Sequence, residues 1–322
     1  MHPSLVAFVS AAVLALSTTV PASSTTAGNI VRESAILHSS ASLQAKKNAC
    51  ESLASDLLQH TSVAAKSVRT ETGDRAFSAL RQFILMGTDN RARAQCARDL
   101  VDASSLIALD KDGRKISSGY GNAAITVAIQ LLRDSNTQMR ISGTKALYGI
   151  SEPSVGRALL RIARIDPSNP VRSAAFYNMV LSMKADVVTT HDEAAYKTAI
   201  SQALKNRDTA IVVSGLYAYA GLYGMSADTV LRRYAADARP QVRAGAIAAY
   251  DGMMGSNNSM ERFIESRLND PDASVRSQVL LRLLRMGDTH ALPAMKRLAR
   301  TAPTGTERKE AEQYIRALEK NL

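Results

Sequence analysis

The chain has 322 residues, 46% of them hydrophobic, which excludes a mostly disordered protein. Aromatic residues make up only 5% and tryptophan is absent, a bias that favours closely packed helices over a β-sandwich. The formal net charge of +11 is spread along the chain, so it fits an anionic partner and simple solubility equally well.

The N-terminus has the pattern of a secretory signal peptide. The first 22 residues contain no Asp, Glu, Lys or Arg, and Leu5–Leu16 is a 12-residue apolar stretch interrupted only by Ser10. Val20-Pro21-Ala22 ends in a small residue, although His2 stands where Lys or Arg is usual. We therefore predict a signal peptide at 1–22 and export to the periplasm or the extracellular space. No second long apolar run is recognised, so the mature protein is not expected to span a membrane.

Residues 23–133 are predicted to form a divergent N-terminal helical region. It contains the two cysteines of the chain, Cys50 and Cys96. An even pair in an oxidising compartment predicts one disulfide, worth roughly 4 kcal/mol in the chain-entropy model, and two buried free thiols are the alternative. A loop insertion at 109–122, "LDKDGRKISSGYGN", is predicted to form a turn or small hairpin that protrudes from the array.

Residues 134–302 contain an internal repeat. Its mark is an Asp followed six residues later by an Arg, at Asp134 and Arg140, Asp166 and Arg172, Asp237 and Arg243, and Asp270 and Arg276. Asn206 and Val212 take the two places in a further copy, and the steps between successive anchors are 32, 40, 31 and 33 residues. A period of this size is typical of a repeat array.

Two further places of the repeat agree from copy to copy. Three residues after the Arg place, four of the five copies have a very small side chain, at Gly143, Ala175, Gly215 and Ala246, and the fifth has Val279. Seven residues after it comes a large side chain, at Leu147, Met179, Tyr219, Tyr250 and Leu283. These places share one face of an α-helix, so each copy is predicted to be a helical hairpin introduced by the Asp-containing turn.

The stretch "DPDASVRSQVLLRLLRMGDTHALPAMKRLA" resembles a HEAT repeat of the short type that opens with Asp-Pro and Val-Arg. The resemblance implies an all-α fold, a right-handed α-α superhelix, with the Asp and Arg side chains forming a ladder between neighbouring repeats. It also implies a curved surface that binds proteins. Residues 303–322 continue with one apolar stripe and a capping-box spacing from Thr304 to Glu307, and are predicted to be a C-terminal capping helix.

The sequence contains no recognisable catalytic or metal-binding motif. None of its five histidines pairs at i,i+3 or i,i+4 with another ligand type that closes a metal site, and no GxSxG, HExxH, P-loop or GxGxxG is present. We therefore expect no cofactor and no metal, and an enzyme is the less favoured class.

Two weak sets of binding candidates remain. Basic residues lie on the second helices of the predicted hairpins, which the resemblance places on the concave face: Arg161, Arg164, Lys205, Arg232, Arg233, Lys296, Arg297 and Arg300. They fit either an anionic ligand or cations that complement helix C-termini. Tyr217 and Tyr223 are interface candidates from one tyrosine-rich helix, or else they fill a gap between repeats.

These observations favour a non-enzymatic scaffold or adaptor of the cell envelope or extracellular space that binds a protein partner through the solenoid surface. One alternative is a binder of an anionic polymer or lipid surface through a basic concave stripe. Another is an enzyme or chaperone without a recognisable motif. Nucleic acid is not expected as a partner if the chain is exported.

Overall fold

In a computed structural model, the described part of the chain consists of seventeen α-helices and one two-stranded antiparallel pair. The structure describes residues 27–59, 71–105, 108–109, 115–116, 120–190, 192–253 and 257–320, so the predicted signal peptide lies outside the described residues. The elements are α1 (Ala27–His38), α2 (Leu43–Gln59), α3 (Glu71–Met86), α4 (Asn90–Ser105), β1 (Ala108–Leu109), β2 (Lys115–Ile116), α5 (Gly121–Leu131), α6 (Thr137–Ala146), α7 (Pro153–Ile165), α8 (Asn169–Asn178), α9 (Val180–Thr190), α10 (Glu193–Leu204), α11 (Thr209–Tyr223), α12 (Asp228–Tyr234), α13 (Pro240–Ala249), α14 (Asn258–Ser266), α15 (Ala273–Met286), α16 (Leu292–Thr301) and α17 (Gly305–Glu319).

The helices form two layers. The inner layer is α2, α4, α6, α8, α11, α13, α15 and α17, and each of its helices packs directly on the next. The outer layer is α1, α3, α5, α7, α10, α12, α14 and α16. From α10 onward, successive helices of this layer no longer pack closely on each other. Because the layer with the closer helices lies on the inside of a bend, we assign the inner layer to the concave face. The predicted all-α solenoid is thus confirmed.

Each hairpin pairs the helix before an Asp-containing turn with the helix after it. The close antiparallel pairs are α5 with α6, α7 with α8, α10 with α11, α12 with α13, α14 with α15 and α16 with α17. The prediction that the turn introduces a hairpin was therefore wrong by half a unit, since the turn lies inside the hairpin. Periodicity alone does not reveal this, because the same residues are buried whether the turn precedes the hairpin or lies inside it.

The repeated Asp has two roles at the turn, and neither is to cap the helix. Asp166 Oδ1 accepts the backbone N–H of Ser168, two residues later, at 2.9 Å, and Ser168 itself is the N-cap residue. The same carboxylate accepts Arg140 Nε at 2.7 Å and Nη2 at 3.1 Å from the preceding repeat. Arg140 Nη1 also donates to the carbonyl of Asp134 at 3.0 Å, so one guanidinium joins two consecutive turns.

This pairing forms the predicted ladder and extends it toward the N-terminus. Its steps are Lys46 to Asp89, Arg93 to Asp134, Arg140 to Asp166, Arg243 to Asp270, and Arg276 to Glu307. The ladder is interrupted in the centre. Arg172, predicted to be a member, donates instead to the carbonyl of Ala163 at 3.2 Å, and Asn206 and Val212 provide no ion pair there.

The interruption coincides with an extra helix, α9, which packs on α7 and α11. Asp186 of α9 is fully buried and accepts Arg157 Nη1 at 2.5 Å and Tyr196 Oη at 2.8 Å. A Cβ on Gly156 would lie 2.6 Å from the carbonyl oxygen of Ser182, so the close approach of α7 and α9 requires glycine there.

The core follows the repeat as predicted. Leu147, Met179, Tyr250 and Leu283 are completely buried, whereas Tyr219 is only half-buried. The segment predicted to cap the array is α17, which forms the inner helix of the last hairpin. Thr304 accepts the N–H of Glu307 as its cap, but the Glu307 carboxylate turns to Arg276 and not back to Thr304.

The N-terminal region continues the same two-layer arrangement. Cys50 of α2 and Cys96 of α4 form a disulfide with their Cα atoms 5.1 Å apart, so it joins two neighbouring inner helices. In the insertion, Ala108 pairs with Ile116 and Leu109 with Lys115, which makes a short hairpin before α5.

One internal run meets the length and hydropathy of a membrane span, although no second long apolar run was recognised in the sequence. The run is Thr209–Tyr234, with 26 residues, and an 18-residue window within it has mean hydropathy 1.3 and is half buried. It comprises α11, a 3-10 turn at Gly224–Ala227 and α12. Helices in a protein core have the same composition, so the run is weak evidence for a membrane span.

Candidate functional site: an aromatic groove on the concave face

Three tyrosines from three consecutive inner helices form a continuous aromatic row. Tyr148 follows α6, Tyr177 lies near the end of α8, and Tyr217 lies in α11. The ring centroids are 6.1 Å apart between Tyr148 and Tyr177 and 4.9 Å apart between Tyr177 and Tyr217. Tyr148 is 58% exposed and Tyr177 is 44% exposed. Aromatic side chains left open on a concave face are typical of a binding surface.

The row forms one wall of a groove of about 750 Å³ between α6, α8 and α11. The groove is lined by Lys145, Tyr148, Pro170, Ser173, Ala174, Tyr177, Asn178, Asp208, Ala210, Val213, Ser214 and Tyr217. Small side chains such as Ala174 and Ala210 leave space within the groove. A shallower continuation of about 490 Å³ crosses α13 toward α15. The volume is in the range of ligand-binding clefts.

The interrupted ladder leaves uncharged and polar contacts at the base of this groove. Ser173 and Ser214 share a hydrogen bond of 2.6 Å, and Asn169 Nδ2 donates to Asp208 Oδ2 at 2.9 Å. Asp208 also accepts the N–H of Ala210 and so begins α11. The two inner helices are thus joined here without the buried ion pair found in other repeats.

The environment favours the neutral phenol form of two members of the row, Tyr177 and Tyr217. Burial, together with the nearby Tyr177 and Asp251, raises the pKa of Tyr217 to about 12. Burial also raises the pKa of Tyr177 above its usual value. Beyond Tyr217, Asp251 accepts Arg282 Nη1 at 2.5 Å and also binds Arg285. The groove therefore combines aromatic rings with a neighbouring charged cluster of one carboxylate and two guanidinium groups, and suits contact with a partly apolar chain.

The two predicted tyrosines separate. Tyr217 belongs to the groove, but Tyr223 does not, because its ring packs on Tyr219 at 4.4 Å and lies 5.9 Å from Lys197 Nζ. Tyr148 and Tyr177 were not predicted from the sequence as binding residues. A usable signal for Tyr177 was its place five residues after the Arg position, which is also the place of Tyr217.

The predicted basic residues do not line this groove. Arg161, Arg164, Lys205, Arg232, Arg233, Lys296, Arg297 and Arg300 all lie on or directly after α7, α10, α12 and α16. These helices form the outer layer, so the expected concave location was wrong. The reason is that the turn was predicted to precede each hairpin, whereas it lies inside the hairpin. Two of these residues form ion pairs. Arg232 Nε donates to Asp228 at 2.8 Å, and Lys296 pairs with Glu319 at 2.6 Å.

Within the described residues, no group of three or more His, Cys, Asp or Glu side chains is arranged to hold a metal ion.

Residues 227–316 match the family model for HEAT repeats, which confirms the predicted resemblance. No curated protein sequence matches the chain significantly. The solved structure of YibA from E. coli shares 15% identity, with a TM-score of 0.43, covering 78% of this chain and 98% of that one. The CpcE–CpcF complex of phycocyanin lyase from Nostoc sp. PCC7120 shares 14% identity, with a TM-score of 0.44, covering 92% and 97%. A computationally designed armadillo repeat protein for modular peptide recognition shares 14% identity, with a TM-score of 0.32, covering 82% and 99%.

Proposed function

We propose that this protein is an exported, non-enzymatic scaffold that binds a protein partner in the aromatic groove of its concave face. HEAT-repeat solenoids commonly mediate protein interaction. The observation that carries the proposal is the open row of Tyr148, Tyr177 and Tyr217, because rigid, amphipathic rings in a groove supply contact area at low entropic cost.

The partner is expected to place an extended or helical segment across α6, α8 and α11. The groove is long in the direction that crosses the helices and continues past Gly245 toward α15. Because the groove is lined mainly by aromatic and small uncharged side chains, binding is expected to change little with salt. This distinguishes the groove from a site that depends on the positive charge of the chain.

The test is site-specific photo-crosslinking from the concave face. A photoreactive phenylalanine analogue at position 148 or 177 is expected to capture the same discrete protein at low and at high salt. The matched control carries the analogue at position 223, whose ring lies outside the groove. Capture of the same protein at all three positions, or of none at 148 and 177, would overturn the proposal.

Direct competition gives the second arm of the test. Tyr148→Ser combined with Tyr177→Ser is expected to weaken binding of the captured partner by about 10- to 100-fold, because both rings are interface anchors. Tyr223→Ser serves as control, and circular dichroism checks that each variant keeps its helix content. Equal affinity of the double variant and the wild type would contradict the groove as the binding site.

Export is tested separately. We propose that residues 1–22 are removed and that the mature protein begins at Ser23, as the pattern of Leu5–Leu16 and Ala22 suggests. Mass spectrometry of the protein isolated from the culture medium or envelope of an expressing cell measures this. An intact N-terminus on protein found only in the cytoplasm would contradict it.

A further inference from the structure

All hairpin turns of the array lie along one edge. Each turn follows the C-terminal end of an outer helix and leads into the inner helix that packs on it. Consecutive turns touch each other: Arg239 Nη1 donates to the carbonyl of Arg207 at 3.5 Å, and Arg267 Nη2 donates to the carbonyl of Ala235 at 2.7 Å. We call this row of turns and the last helical turns before them the turn edge.

The turn edge carries a row of exposed cations that have no ion pair within the described part of the chain. They come from five of the six turns between α5 and α17. They are Arg133, Arg164, Lys205, Arg207, Arg233, Arg297 and Arg300. None of them lines the aromatic groove, so this surface is separate from the proposed protein-binding site.

The acidic residues of the same edge are already engaged. Those of the ladder, such as Asp166 and Asp270, are matched by guanidinium groups of neighbouring repeats. Asp237 pairs with Arg239 at 2.9 Å, and Asp208 and Asp272 accept backbone N–H groups as helix caps. The unpaired cations therefore give the turn edge a net positive charge.

Compensation of helix dipoles explains only part of this row. A cation in the last turn of a helix complements the negative C-terminal end, and Arg164 and Arg233 are placed for this. Arg207 lies in a turn outside any helix, and α16 carries both Arg297 and Arg300. The excess over one cation for each helix end indicates a ligand with repeated negative charge.

The distribution of cations and a recess on the edge indicate the kind of ligand. The unpaired cations recur in five of the six turns, so the edge presents positive charge at successive repeats. Between the last two turns lies a polar recess of about 460 Å³, lined by Arg297 together with Asn269, Asp270 and Thr301. A cation beside amide, carboxylate and hydroxyl groups matches a chain that carries both acidic groups and sugar hydroxyls.

We propose that the turn edge binds a linear acidic polysaccharide. The choice of polysaccharide rests on the proposed export, which places the edge where nucleic acid is not expected. A linear polymer can follow the row from Arg133 to Arg300 and meet unpaired cations at five turns.

The test uses the purified protein and sodium alginate, a linear polyuronate, with neutral dextran as the uncharged probe. The edge variant is Arg164→Ser, Arg207→Ser and Arg233→Ser together. The control variant is Arg81→Ser, Arg262→Ser and Lys320→Ser, three exposed cations away from the edge that remove the same charge. Affinity is measured by biolayer interferometry at several salt concentrations.

We expect alginate binding that weakens with salt, about 10-fold weaker binding by the edge variant, and a change of about 2-fold or less in the control variant. Equal losses in both variants, or equal binding of dextran, would show that net charge or sugar alone is responsible and would overturn the proposal. Tighter binding to a DNA duplex or to phosphatidylglycerol vesicles than to alginate would also overturn it. Crosslinking at position 148 is expected to be unchanged in the edge variant, so failure here is distinct from failure of the proposed groove.

Discussion

The C-terminal hairpins and the central hairpins are built on the same plan but are held together differently. In the C-terminal part, Arg276 and Glu307 form a buried bidentate pair, and Arg243 and Asp270 another. In the centre, no carboxylate among the described residues pairs with Arg172, and small uncharged hydroxyl groups meet instead. The aromatic groove opens where the ladder is interrupted.

The comparison indicates a division of roles along one solenoid. A buried ion pair fixes the spacing of two inner helices, because its geometry tolerates little displacement. The central helices are packed by small side chains, which leave room on the concave face for exposed rings. Regular repeats thus provide the frame, and the departure from regularity provides the proposed binding site.

The largest expected effect comes from breaking the ladder at its C-terminal end. Arg276→Ala is expected to lower the free energy of unfolding by about 3–5 kcal/mol, because Glu307 then remains buried without its partner. Arg172→Ala removes only hydrogen bonds to neutral groups and is expected to cost about 1 kcal/mol. Urea unfolding measures both, and hydrogen exchange should localise the first loss to α15–α17. Similar losses in the two variants would contradict the difference between the regions.

An intermediate effect is expected from restoring the ladder in the centre. Asn206 Oδ1 accepts the N–H of Asp208 at 2.8 Å, the same turn contact that the repeated Asp makes elsewhere. Asn206→Asp keeps this contact and offers Arg172 a carboxylate, so we expect a gain of about 1 kcal/mol near neutral pH.

The gain depends on ionisation, which supplies the control. It is expected to disappear below about pH 4, where the new carboxyl group is protonated. It should also disappear when Asn206→Asp is combined with Arg172→Ala in a double-mutant cycle. A gain that persists in the double variant would show that the pair is not responsible.

A third effect, similar in size to the second, concerns pH and has opposite signs at two acids. At Asp270, burial opposes ionisation, but hydrogen bonds from Arg243 and the N–H of Asp272 outweigh it, so its pKa is lowered. A group of this kind stabilises the fold above its unfolded pKa, and this contribution is lost as the pH falls. At Asp99 of α4, burial raises the pKa from 3.8 to about 6, and Glu51 contributes while a hydrogen bond from Gln95 opposes it.

The folded protein therefore holds more protons at Asp99 than the unfolded chain between about pH 4 and pH 6, and this group destabilises the fold as the pH rises through that window. Asp99→Asn is expected to stabilise the protein by about 1 kcal/mol at pH 7, a value reduced for the partial exposure of the side chain, and to have little effect at pH 4. Thermal unfolding at both pH values measures this. A larger gain at pH 4 than at pH 7 would contradict the assignment.

Much of the fold could be predicted because the repeat is local in sequence. The places of Leu147, Met179 and Leu283 follow from helical periodicity, and the Asp-to-Arg spacing predicted the ladder at Arg140, Arg243 and Arg276. The candidate site was harder to predict from the sequence. Tyr148 and Tyr177 come from different repeats, and each alone resembles an ordinary core residue.

The helical repeat array, most of its buried residues and the positions of its turns were predictable from the sequence, because these depend on contacts within one or two helices. Which layer is concave was not predictable, since curvature follows from the sum of all distances between neighbouring helices. Stacking of the hairpins also brings Tyr148, Tyr177 and Tyr217 together and places cations such as Arg164, Arg207 and Arg233 at successive turns. Residues that are about 30 to 40 positions apart become neighbours only when the hairpins stack.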